Sequence, residues 1–295
     1  MASATTQHHI LLDGISYSIL LNSPAPGIPQ KGETILLVHA LMSNSHMYDH
    51  TVSTLTHEGY TTIRFDLVGH GNTPPPDKRD LGDYRIHLDD IANHMHRLVE
   101  EISGEMGQKM RAVIGCSVGG LLALRYGMLF PDAVEKVVAV TTPGMVSQEA
   151  GNEMWARRVE QFRADVRDGK EELAEATVRR WFPPCSGTDG KDEDEAVRMV
   201  ALEQVKRCTF EGYRIMADAI RDYDYEEDVR GMEKDGVDVL VVAGSEDTSV
   251  PPKLLKDLAA EIPGARYVCM EGAGHLPPIH RAEEFEEIVL PFLGG

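Results

Sequence analysis

Six short runs of mostly aliphatic residues punctuate the chain: Thr34–His39, Thr61–Asp66, Ala112–Cys116, Val137–Val140, Val237–Val242 and Tyr267–Met270. They read as apolar on both faces, the pattern of strands covered by helices on either side. Helix-length segments lie among them at Met47–Glu58, Leu88–Ile102, Val118–Leu129 and Pro252–Glu261. Parallel neighbours need a crossover, and the crossover helix must pack back on the sheet. The alternation therefore implies an α/β fold with a mostly parallel, doubly wound sheet. Two further runs, His8–Leu12 and Ile15–Leu21, flank Asp13-Gly14, a dipeptide suited to a type I′ hairpin, so an antiparallel pair precedes the alternation.

The alternation breaks between about Gly144 and Arg230. Only helical patterns occur there, at Glu153–Arg167, Glu171–Arg180, Glu195–Lys206 and Phe210–Arg221, with a loop expected over Pro183–Glu195. The expected organisation is a core of residues 1–143 and 231–295 with a helical cap inserted at 144–230. A cap in that position covers the C-terminal edge of the sheet, where open α/β sheets bind ligands.

Composition narrows the function. A formal net charge of −19 over 295 residues disfavours nucleic acid and anionic membranes as partners. No apolar run is long enough to span a bilayer. Met1–His9 lacks the basic and apolar regions of a secretory signal. Cys116, Cys185, Cys208 and Cys269 have no CxxC spacing, which reads as reduced thiols and a cytoplasmic location, with no metal site.

Gly115-Cys116-Ser117-Val118-Gly119 carries the chemistry. It closes the strand Ala112–Cys116 and opens the helix Val118–Leu129, the setting of a nucleophile elbow. Ser117 needs a tight turn to lift its hydroxyl above the sheet, and the flanking glycines remove side chains that would collide there. Serine is a weak nucleophile without a base. Of twelve histidines, only His275 and His280 follow Ser117, the chain order expected in this architecture. His275, on the loop after Tyr267–Met270, is preferred over His280, which is expected to start the last helix. Asp247, after Val237–Val242, is the preferred acid, with Glu246 second. The N–H groups of Val118 and Leu41 are the expected oxyanion donors, and His39 is read as a brace for the Leu41 loop.

With these pieces in place the chain resembles the α/β-hydrolase fold over nearly its whole length. The matching motifs are Leu37-Val38-His39-Ala40, Asp66-Leu67-Val68-Gly69-His70-Gly71-Asn72-Thr73, Gly115–Gly120, Ala243–Asp247 and Gly272–His275. The resemblance implies eight strands. In the cap, Arg180-Trp181-Phe182, Glu211-Gly212-Tyr213 and Ala219–Asp224 resemble 3-oxoadipate enol-lactonases, as does Gly274–Pro278. That resemblance implies opening of an unsaturated five-membered lactone that carries a carboxylate. Ala40 stands where glycine is usual, Tyr48 where tryptophan is, and His280 where an acid is common.

The expected activity is that of a cofactor-free serine hydrolase acting on a small lactone or carboxylic ester, with a homodimer left open. Cleavage of a macrolactone, an amide or a 1,3-diketone, or ligand reception without turnover, are the alternatives. Trp181 and Ala40 are the expected substrate contacts. Arg179 and Arg180 suit a substrate carboxylate in chemistry but are read first as helix-surface residues paired to nearby acids, and Cys116 is read as buried packing.

Overall fold

A computed structural model describes residues 4–77, 84–103, 110–183, 191–232 and 236–295. The loop expected over Pro183–Glu195 falls largely outside these, as does Cys185. The helix that follows it starts earlier than expected, at Lys191.

The hairpin forms as its turn chemistry requires. β1 (Ala4–Leu12) and β2 (Ile15–Ser23) pair antiparallel around Asp13 and Gly14, whose φ angles are 49° and 84°. The remaining strands are β3 (Thr34–Val38), β4 (Thr61–Phe65), β5 (Met110–Cys116), β6 (Val134–Val140), β7 (Asp238–Gly244) and β8 (Arg266–Met270). Among the described residues they make one eight-stranded sheet in the order β1-β2-β4-β3-β5-β6-β7-β8. From β4 to β8 every pairing is parallel, and β2 joins β4 antiparallel. β3 is buried along its whole length, as its doubly apolar pattern requires. β8 differs, because it is the sheet edge: Arg266 and Cys269 are exposed and only Met270 is buried.

The helices are α1 (Asp49–His57), α2 (Leu88–Ser103), α3 (Val118–Leu129), α4 (Glu149–Asp168), α5 (Glu172–Trp181), α6 (Lys191–Val205), α7 (Phe210–Ala219), α8 (Glu226–Gly231), α9 (Pro252–Glu261), α10 (Pro277–His280) and α11 (Ala282–Gly294). The expected helix Met47–Glu58 is split. A 3₁₀ turn at Ser45–Tyr48 comes first, its His46 N–H capped by the Asn44 side chain, and α1 follows. His280 closes the single turn of α10 and does not start α11. No helix among the described residues is long and apolar enough to cross a membrane.

Strand order reverses between β3 and β5, since the chain moves outward to β4 after β3 and then returns. That switch point opens a crevice at the strands' C-terminal ends. The Ala40–Leu41 loop after β3 and Ser117 after β5 both open onto it. α4 to α8 lie between β6 and β7 in the chain, outside the sheet. α7 rests on the loop after β4: the Thr209 N–H donates to the Gly69 carbonyl at 2.8 Å. A Cβ on Gly212 would fall 2.4 Å from Gly69 Cα, so this contact tolerates no side chain on Gly212.

Candidate active site

Ser117 occupies the junction of β5 and α3 with φ 56° and ψ −121°, a region L-residues rarely enter. The surroundings hold it there. Its N–H donates to the Val140 carbonyl of β6 at 2.8 Å, and its carbonyl accepts from Gly120 and Leu121. A Cβ on Gly115 would lie 1.9 Å from the Gly119 oxygen, and one on Gly119 would lie 2.1 Å from the Val38 oxygen. Both motif glycines are therefore required by close backbone approach.

The loops after β7 and β8 bring two more groups to this point. Ser117 Oγ is 3.0 Å from His275 Nε2. His275 Nδ1 is 2.7 Å from Asp247 Oδ2. Asp247 is fully enclosed, and its Oδ1 accepts the N–H groups of Ser249 and Val250 at 2.7 and 3.1 Å. A carboxylate so placed accepts a hydrogen bond from Nδ1–H and fixes that tautomer, which leaves Nε2 free to accept from the serine hydroxyl. Glu246 is exposed. His280 is occupied elsewhere: its Nδ1 accepts the Gly274 N–H at 2.8 Å, and its ring packs edge-on against Phe182.

The His275 backbone is clamped on both sides. Its N–H donates to the Trp181 carbonyl at the end of α5, at 2.8 Å. Its carbonyl accepts from Thr141 Oγ1 at 2.7 Å. Thr141, just past β6, has φ 46°, strained for a β-branched residue. Neither clamp has a sequence signature, since each joins segments remote in the chain. Cys116 is buried among these groups and burial pushes its thiol up to about 12, so it is no second nucleophile.

Leu41 and Val118 line the cavity beside Ser117. Among the described residues, neither of their N–H groups has an acceptor within the protein. Two buried imidazoles shape the loop. His39 Nε2 accepts the Leu67 N–H at 2.8 Å while Nδ1 donates to the Ala40 carbonyl. His70 Nε2 accepts the Met42 N–H at 3.1 Å while Nδ1 donates to the Val68 carbonyl. His39 is thus the expected brace, and His70 is a second one. Ala40 corrects the expectation of a substrate contact. It is 1% exposed and absent from the cavity wall, because its own N–H and carbonyl are turned inward to Met47, Ser43 and His39.

Both braces must stay neutral to accept these N–H groups. Burial lowers the pKa of each, and the charge of His39 adds to it at His70, which falls to about 3. In the unfolded chain both titrate near 6.5. Below that pH the unfolded chain takes up protons that the folded chain refuses. The stability these groups contribute is therefore full above pH 6.5 and falls as the pH drops towards 3. Urea unfolding midpoints should be lower at pH 5 than at pH 7.5. His70→Gln, which keeps an acceptor and loses the titration, should narrow the gap between them.

The cavity holds about 370 Å³. Ser117, His275, Leu41 and Val118 line one end, and α4, α5 and α7 contribute Trp155, Arg158, Arg180, Trp181 and Tyr213. Trp181 lines it as expected, its ring 6.4 Å from that of His275 and 27° off parallel. Phe182 is wholly buried behind it. Arg180 is not the surface residue expected. Consecutive helical side chains point about 100° apart. Arg179 therefore faces solvent beside Glu175 at 3.5 Å, and Arg180 turns into the cavity. Tyr213 belongs to the Glu211-Gly212-Tyr213 motif, whereas Arg158 has no place in the motifs read from the sequence. The signal for Arg158 is its position with Trp155 and Phe162 along one face of α4. Among the described residues no group of three His, Cys, Asp or Glu side chains is arranged to hold a metal ion.

A family model described as alpha/beta hydrolase fold matches residues 33–282. The chain belongs to the α/β-hydrolase fold family. Two curated relatives of this α/β hydrolase carry names of ester-cleaving enzymes. Pimeloyl-[acyl-carrier protein] methyl ester esterase of Neisseria meningitidis serogroup B is 25% identical over 91% of this chain and 95% of that one. Lipase 3 of a Moraxella species is 23% identical over 86% and 75%. The enol-lactonase of Burkholderia xenovorans superposes with a TM-score of 0.80 at 23% identity, covering 98% of this chain and all of that one. At that identity the superposition shows a shared fold.

Proposed function

We propose that this chain is a cofactor-free serine hydrolase that cleaves a small lactone or carboxylic ester, with residues 144–230 as a cap over the site. The carrying observation is the unbroken line from Asp247 Oδ2 through His275 to Ser117 Oγ, at 2.7 and 3.0 Å. Ser117 Oγ attacks the carbonyl carbon as His275 Nε2 takes its proton. The carbonyl oxygen, now an anion, accepts from the Leu41 and Val118 N–H groups. Asp247 holds the ring's orientation and stabilises the imidazolium. The C–O bond to the leaving oxygen breaks, and that oxygen takes the proton from Nε2. In a lactone it stays tethered to the acyl group. A water then gives a proton to His275 Nε2 and attacks the acyl-serine; the bond from Ser117 Oγ to the acyl carbon breaks, Nε2 returns the proton to Oγ, and the acid leaves.

The volume of about 370 Å³ favours a small substrate over a macrolactone. The cap motifs and the enol-lactonase fold neighbour favour a 3-oxoadipate enol-lactonase-like reaction, in which the departing oxygen becomes an enol and then a ketone. The test combines labelling with turnover. A fluorophosphonate should add one adduct, mapped to Ser117 by peptide mass. Small lactones and aryl esters should turn over well ahead of anilides, 1,3-diketones and macrolactones. Adduct formation without turnover of any of these favours a ligand receptor, and no adduct removes the serine nucleophile.

A further inference from the structure

We infer that the wall of the cavity built by α4 and α5 is a dianion subsite, in which Arg158 and Arg180 each hold one negative charge of the substrate. The lactone or ester would then carry two carboxylates, or a phosphate-type dianion, away from the scissile bond. This inference rests on ester hydrolysis at Ser117 and names the class of substrate that site takes.

Both arginines line the cavity, and among the described residues no Asp or Glu does. Neither makes an ion pair with a described residue, although the chain has 48 Asp and Glu to 29 Lys and Arg. Their neighbours show the ordinary outcome: Arg179 pairs with Glu175, Arg163 with Glu160 and Arg157 with Glu153. What the cavity arginines have instead is weak. Arg158 lies over the Trp155 ring with its guanidinium carbon 5.1 Å from the centroid. Arg180 donates through Nη2 to Thr177 Oγ1 at 3.2 Å, and its buried Nε has no partner.

A guanidinium keeps its charge in a protein, so these two cannot relieve the cost by losing a proton. Burial and the charge of Arg158 lower Arg180 to about 10, and burial lowers Arg158 as well. Tyr213 and Asp247 offset this only in part at Arg180, and Asp247 is already engaged with His275. One carboxylate would leave the cavity with a net positive charge, while two would neutralise it. Each planar fork also matches a carboxylate edge. The two arginines come from different helices, which suits two separate anionic groups better than one. The chain's acidity lies elsewhere and does not shape this choice.

Four γ-lactones test it, differing only in a ring substituent: none, one carboxymethyl, two carboxymethyl groups, or a phosphonomethyl group. In the wild-type chain kcat/KM should rise about 10- to 100-fold from the uncharged lactone to the dianions, with the monocarboxylate between. Arg158→Ala and Arg180→Ala should each lose about 10-fold or more on the dianions, mainly through KM. On the uncharged lactone each loss should be at least about threefold smaller than on the dianions. Preference for the phosphonate over the dicarboxylate would assign the dianion to a phosphate-type group. Equal rates on the mono- and dicarboxylate, or equal losses on charged and uncharged lactones, would overturn the subsite. Binding separates this from failure of hydrolysis itself. In the Ser117→Ala chain, calorimetry should find glutarate bound at least about 10-fold tighter than butyrate, and the preference should vanish in Arg158→Ala/Arg180→Ala. Equal affinities there would overturn the subsite whether or not any ester is cleaved.

Discussion

Ser117→Ala should lower kcat by about 10⁴- to 10⁶-fold on any lactone or ester the chain cleaves, because it removes the attacking oxygen and leaves the rest of the site in place. The fold should survive. Alanine keeps the Cβ, and the junction is set by backbone bonds to Val140, Gly120 and Leu121 that the substitution leaves alone. Ser117→Gly should be equally inactive yet more stable. A φ of 56° with ψ −121° strains any residue with a Cβ, by about 1–3 kcal/mol, and glycine relieves it. Turnover and thermal melts on the two variants separate chemistry from stability. Ser117→Ala with kcat near wild type would remove Ser117 as the nucleophile. Ser117→Gly melting below Ser117→Ala would show that the strain is not stored at this residue.

The parts of the fold legible in the sequence are those that local pattern determines. The doubly apolar runs became the central strands, and Val118–Leu129 and Pro252–Glu261 are helices with the expected ends. The glycines of the elbow were readable because one backbone geometry demands them. Ser117, His275 and Asp247 were readable because strand ends are the places that meet at one sheet edge. Orientation on an isolated helix was harder. Arg179 and Arg180 are chemically alike, and only the position of α5 over the sheet decides which of them faces the cavity. Arg158 required knowing that α4 crosses the same space. Thr141 and the Trp181 carbonyl hold His275 through contacts 134 and 94 residues away in the chain, and such pairings leave no local trace. His280 departs from the expected helix start because it accepts the Gly274 N–H and packs against Phe182, contacts that no helix pattern encodes.

Asp247→Asn carries the second large effect, expected at about 10⁴-fold in kcat with KM little changed. The reason lies in how the carboxylate is held. Oδ1 accepts two backbone N–H groups, from Ser249 and Val250. An asparagine must keep its carbonyl oxygen there, because turning its amide nitrogen to those donors would place donor against donor in a buried site. Its NH₂ then points at His275 Nδ1, where Oδ2 stood at 2.7 Å. Nδ1 has to accept, so the ring proton moves to Nε2, and Nε2 can no longer take the proton of Ser117. The loss is therefore one of tautomer, with the side-chain positions nearly unchanged, and labelling of Ser117 by a fluorophosphonate should slow in parallel with turnover. Glu246→Gln, at the exposed neighbour, should leave both rates within about twofold. A large loss at Glu246 with a small one at Asp247 would move the acid to the other residue of the loop.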